Sequence, residues 1–185
     1  MKGILRGGGL GGWALLLMSS SLMAQPQPFG YAGLSLSTTR ADLMRRYPQE
    51  PLTGNYLSVA PERAHDHIHE IEIATPDGTG LGRLRLGFER PAVVGSDGQV
   101  RRPADYPRCA NVEKQLRGLF GVPTLIDEFI EGDTDGYLVR VVSWERRLPH
   151  LAAAQQLERL SLQCGRSKSE RQFQAHTVTI ARSSR

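Results

Sequence analysis

Two cysteines among 185 residues, Cys109 and Cys164, limit the folds open to this chain more than any other feature. Both follow a stretch with the pattern of a secretory leader, so they are expected to meet an oxidising solution. An even count in that setting argues for one intramolecular bridge. Whatever element holds Cys109 must then touch the element that holds Cys164. Closing so long a loop stabilises a fold by about 4 kcal/mol on the chain-entropy account. The alternative is a pair of free thiols. No C-x-x-C spacing is present, so a redox pair is not indicated, and pairing removes the candidate thiol nucleophile.

Residues 1–24 carry the three zones of a signal peptide. Lys2 and Arg6 form a basic start, the segment 13–18 with its flanks is apolar, and Ser19, Ser20 and Ser21 lead to Ala24. Cleavage before Gln25 fits, although Leu22 is larger than the small residue usual three places before a cut. The apolar run is shorter and richer in Gly and Ser than the roughly 20 residues of a membrane span. No stable span is expected after cleavage, an uncleaved N-terminal anchor being the alternative. No cysteine stands at or directly after the cleavage point, so lipid attachment is not expected. The location implied is periplasmic or secreted.

What remains is about 160 residues, the size of one domain or of two small stacked repeats. The whole chain has 23 Lys and Arg against 19 Asp and Glu, and removing Lys2 and Arg6 brings the two near balance. Arginine pairs (Arg45-Arg46, Arg101-Arg102, Arg146-Arg147) are scattered among acids. Nucleic-acid faces need clustered cations with stacking aromatics, so nucleic acid is not an expected partner.

Periodicity then predicts an α+β chain, with helices packed on an antiparallel sheet. A helix follows Ser37 or Thr38 as cap, with Asp42 in its first turn and Leu43, Met44 and Tyr47 as its apolar stripe, until Pro48 stops it. Strands are predicted over 55–60, 65–74 and 81–88. In the last, Leu84, Leu86 and Phe88 face one way and Arg83 and Arg85 the other. Residues 76–78 (Pro-Asp-Gly) read as a turn, and the lead-in 25–30 as loose. Residues 89–107 lose all periodicity. A second helix spans 109–120, with Val112, Leu116, Leu119 and Phe120 on one face and Gly121 and Pro123 closing it. Strands follow at 124–130 and 137–145, the second placed centrally because Val139, Val141 and Val142 make both its faces apolar. Residues 149–156 have helical composition. Residues 159–164 alternate as a strand, with one long helix through Gln163 as the rival, and 173–181 is a final strand before a frayed end. The organisation read from this is a first α+β unit over 25–90, a linker over 91–107, a second α+β unit over 108–182 and a tail over 183–185. A further reading makes the two units tandem copies of one helix followed by three or four strands.

The run 33–43 (GLSLSTTRADL) and the run 116–123 (LRGLFGVP) resemble segments of the superfamily that holds the small outer-membrane-assembly lipoproteins and the β-lactamase inhibitory proteins. That resemblance implies helices layered on an antiparallel sheet and a protein-binding role. It carries over no binding residue, and the chain lacks the lipid-attachment cysteine of the lipoprotein members.

The sharpest chemical candidate is His65-Asp66-His67-Ile68-His69. On a strand, His65, His67 and His69 would share a face, with neighbours roughly 6.6 Å apart, a spacing two imidazoles need to hold one Zn²⁺ or Cu²⁺. A complete site would need a further ligand, with His150, His176 or a carboxylate as the choices. Asp133-x-Asp135-Gly136 fits a calcium loop loosely, but Val142 stands where the bidentate Glu belongs, and a hairpin turn over 132–136 between the two flanking strands explains these residues fully. Asp127, Glu128 and Glu131 offer carboxylates for sugar hydrolysis without any sign of a cleft. Trp144 and Tyr137 are candidates for a recognition surface, although a central strand usually buries such residues. With no nucleophile elbow, phosphate loop or dinucleotide fingerprint, the function expected is binding, with another envelope protein as partner and no cofactor. A metal-binding protein built on the three histidines is the alternative.

Overall fold

Alternation of apolar and polar residues puts most of this chain into one sheet. The computed structural model describes residues 27–60, 64–74, 82–88, 93–94, 100–101, 107–131, 137–148 and 157–183. In chain order the elements are β1 (Gly30–Tyr31), β2 (Leu34–Ser35), α1 (Arg40–Arg46), β3 (Leu52–Thr53), β4 (Tyr56–Ser58), β5 (Glu70–Ala74) and β6 (Arg83–Gly87). There follow β7 (Val93–Val94), β8 (Val100–Arg101), α2 (Cys109–Phe120), β9 (Leu125–Glu131), β10 (Tyr137–Arg147), β11 (Leu157–Arg166) and β12 (Gln174–Ser183). Eight strands form a single antiparallel sheet in the order β3-β4-β5-β6-β12-β11-β10-β9. Within it β3–β6 and β9–β12 each run as a meander, and their last strands, β6 and β12, pair with one another (Val178 opposite Leu86, Ile180 opposite Leu84), while β7 and β8 form a separate two-stranded sheet. The fold is therefore mixed α+β and dominated by strands.

One face of the sheet is the core. Ile71 and Ile73, Leu84 and Leu86, Val178 and Ile180, Leu160 and Leu162, and Val142 and Trp144 project to it from successive strands and are all buried. In α2 the i, i+4 pair Val112 and Leu116 joins this core, with Cys109 one turn earlier. The bridge to Cys164 on β11 is present, with the two Cα atoms 5.8 Å apart. It fastens the first turn of α2 to the sheet. Gly121, at φ 79°, ends the helix in a conformation that glycine adopts at little cost, and its carbonyl accepts a 2.9 Å hydrogen bond from Trp144 Nε1. Helix α1 is capped by Thr39, one residue beyond the expected cap. Thr39 and Asp42 exchange hydrogen bonds in a capping box, and these bonds from Thr39 hold the Asp42 carboxyl below its ordinary range.

Several expectations need correction. The predicted strand over 65–74 begins only at Glu70. The lead-in is tied down from Gln27 onward: Phe29 is buried, and Arg146 donates to the Gln27 carbonyl while its guanidinium lies 4.6 Å over the Phe29 ring. The same Arg146 holds the fully buried Glu158 carboxylate. Arg182, expected to fray, continues β12 beside Glu158. Met44 and Leu119 were placed on apolar stripes and are instead half exposed. The strand reading of 159–164 prevails over the helix, extended to Leu157–Arg166. The turns at 76–78 and 132–136, the helix over 149–156 and most of 89–107 lie outside the described residues.

Candidate functional site

The backbone of the histidine motif is not extended. His65–His67 is a single 3-10 turn, with Asp66 (φ 53°) and His67 (φ 62°) in the left-handed region. Side chains two apart share a face only on extended backbone, so the strand geometry that pointed to Zn²⁺ or Cu²⁺ is lost. His67 is exposed, whereas His69 is buried with its backbone built into the sheet, accepting from Val59 and donating to the Gly87 carbonyl. His176 lies on β12 and His150 outside the described residues. Among the described residues, no three His, Cys, Asp or Glu side chains are grouped as metal ligands would be. The Cys109–Cys164 pair is a buried cross-link.

Opposite the core, the sheet presents its second face. A cavity of about 390 Å³ opens there, lined by Arg85, Glu131, Tyr137, Val139, Gln163 and His176 among others. Its geometry follows from two local irregularities. Register along β11 and β12 shifts between Gln163, opposite Thr177, and Cys164, opposite Ala175, which leaves His176 as the extra residue of a bulge. Without it, strict alternation from Val178 would turn His176 into the core. The second is Gly165, on whose bare backbone the Tyr137 ring lies; a Cβ there would fall far inside contact distance of that ring. Together they bring Tyr137 Oη within 2.7 Å of His176 Nε2, with the rings edge to face. Trp144, the other candidate for a recognition surface, is buried in the core.

The margin of the sheet next to this cavity is more unusual. β9 pairs with β10 on one side and ends the strand order on the other. All seven of its residues are exposed, and Leu125, Ile126, Phe129 and Ile130 are between 44% and 62% accessible. Sheets normally blunt an edge with charge, brevity or cover. The opposite edge does so, since β3 is two residues long. By cross-strand register, Leu125, Asp127, Phe129 and Glu131 share the face of Val139 and Val141, while Ile126, Glu128 and Ile130 share that of Val142. Glu128 is engaged by Arg140, which also reaches Glu113 of α2 at 3.2 Å. Asp127 and Glu131 make no ion pair among the described residues, and their cross-strand neighbours, Val141 and Tyr137, are uncharged. The three acids named for sugar hydrolysis thus lie on two faces of an exposed strand.

Sequence reasoning placed β9 in the sheet but not at its edge. Apolar pairs at Leu125-Ile126 and Phe129-Ile130 put hydrophobic side chains on both faces, a pattern that ordinarily signals a strand covered on both sides. The usable signal was the acid set between those pairs, which a covered strand would have to desolvate. No protein-family model, no curated protein and no solved structure matches this chain.

Proposed function

We propose that this chain is an exported, disulfide-stapled binding protein that holds an extended segment of another envelope protein along the free edge of β9. One observation carries the reading. A seven-residue strand that pairs with no strand beyond β10 among the described residues, with exposed apolar side chains on both faces, offers backbone groups and side-chain purchase to an added strand. Export rests on the leader pattern of residues 1–24 and accords with a cross-link suited to an oxidising compartment. We read the architecture as two tandem α+β units, α1 with β3–β6 and α2 with β9–β12, joined through their final strands. On that reading the join covers β6 and β12 and leaves β9 uncovered. Metal binding through His65, His67 and His69 has no comparable observation behind it.

The test is a photo-crosslinking residue introduced at Phe129, with Met44 on α1 as the control site, in cells exporting the full chain. A discrete adduct is expected from position 129, absent from position 44, and lost when Ile130→Lys is added. An unmodified chain at position 129, or identical adducts from both sites, overturns the proposal.

A further inference from the structure

We infer that the β9 edge selects a strand carrying Lys or Arg opposite Asp127 and Glu131 and an apolar residue opposite Phe129, and that it rejects a second copy of itself. This rests on the edge-docking reading above and gives the partner a chemistry. On the open face, β9 presents an apolar and acidic alternation, Leu125, Asp127, Phe129, Glu131, whose carboxylates find no cation across the strand on β10. Opposite charges facing one another across a strand pair stabilise it, and like charges in that position oppose it. An added strand therefore gains from cations at two positions four residues apart, with an apolar residue midway. On the other face it meets Ile126 and Ile130 flanking Glu128, whose charge Arg140 already answers, so that row asks for apolar residues alone.

The same charges argue against self-pairing. A two-fold antiparallel pairing that continues the sheet sets open-face residues against open-face residues, so only even registers are available. Three of these pair at least five of the seven residues of β9. The first places Asp127 against Asp127 of the copy, the third places Asp127 against Glu131 twice, and the second, in which Glu128 already held by Arg140 meets its counterpart, sets Asp127 diagonal to Asp127 and Glu131 of the copy. Every extensive register therefore confronts acid with acid, which is one way an edge guards against its own kind.

Capped synthetic peptides of the form Thr-Lys-Val-Val-Val-Lys-Thr supply the probe, with a twin in which Glu replaces both Lys. Binding to the mature, disulfide-intact protein is followed by calorimetry and by hydrogen exchange at the β9 amides. The Lys peptide is expected to protect β9 and to bind about tenfold tighter than its twin, with affinity falling as salt rises. Asp127→Asn with Glu131→Gln, both at exposed positions, is expected to erase that preference while β9 protection by the peptide persists. Equal binding of the two peptides with β9 protected overturns the charge rule and leaves edge docking standing. Absence of β9 protection by either peptide overturns both. Sedimentation is expected to show a monomer, and a dimer whose β9 amides are protected would overturn the rejection of self-pairing.

Discussion

At the scale of single residues, the open-face cavity depends on an absent side chain. Gly165 lies opposite Val139, and the Tyr137 ring covers it. An aromatic ring over a strand glycine recovers packing that glycine forfeits. It also aims the phenol at His176, 2.7 Å away. Gly165→Ala is expected to lift the ring, break that hydrogen bond and cost about 1–3 kcal/mol, the usual penalty for overpacking. Tyr137→Phe keeps the ring and removes only the hydroxyl, costing about 1 kcal/mol. Urea unfolding gives both magnitudes, and the His176 ring signals in NMR report the geometry. If Gly165→Ala unfolds like the parent with His176 unshifted, the ring is not clamped as described.

At the scale of elements, the disulfide joins the start of α2 to β11 across 55 residues of chain. The entropic account assigns such a loop about 4 kcal/mol. Cys109→Ser with Cys164→Ser is expected to lose much of that, with α2 amides losing protection from hydrogen exchange first, since the start of the helix is then held by the bond from the Cys109 N–H to the Phe173 carbonyl and the Arg108–Gln174 bridge. A double variant as stable as the parent in denaturant would mean that core packing of Val112 and Leu116 already anchors the helix. The limits of α2 were legible from Cys109 to Phe120 because its apolar spacing, its C-terminal glycine and Pro123 agree. β6 was legible for the same reason: Leu84 and Leu86 alternate cleanly with arginines. The histidine segment was misread because side-chain alternation carries no warning that Asp66 and His67 take left-handed backbone. Exposure of β9 was hidden as well, since apolar residues on both faces look alike in an edge strand and a covered one. The bulge that presents His176 depends on how β11 and β12 register, which neither strand encodes alone.

For the whole molecule, the decisive contact is the pairing of β6 with β12, two strands far apart in sequence. Local periodicity predicted two α+β stretches separated by a break at 91–107, and could not say whether they shared a sheet. In the folded chain Leu84 and Leu86 stand beside Ile180 and Val178, all buried, so the join is as apolar as the interior of either stretch. Leu43 of α1, Tyr47 at its C-terminal cap, and Val112 and Leu116 of α2 belong to one continuous core. A chain whose parts share a core in this way should melt as one unit. The disulfide lies wholly after the break, so it cannot by itself hold the first stretch in place. Calorimetry of the mature protein is therefore expected to show one transition, with calorimetric and van't Hoff enthalpies in agreement. Leu86→Ala, at the join, should lower the whole transition by about 2–5 kcal/mol without splitting it. Two resolved transitions in the parent, or a Leu86→Ala protein in which residues 27–74 melt while β10 and β11 stay protected, would mean that the join is an interface between two independent folding units.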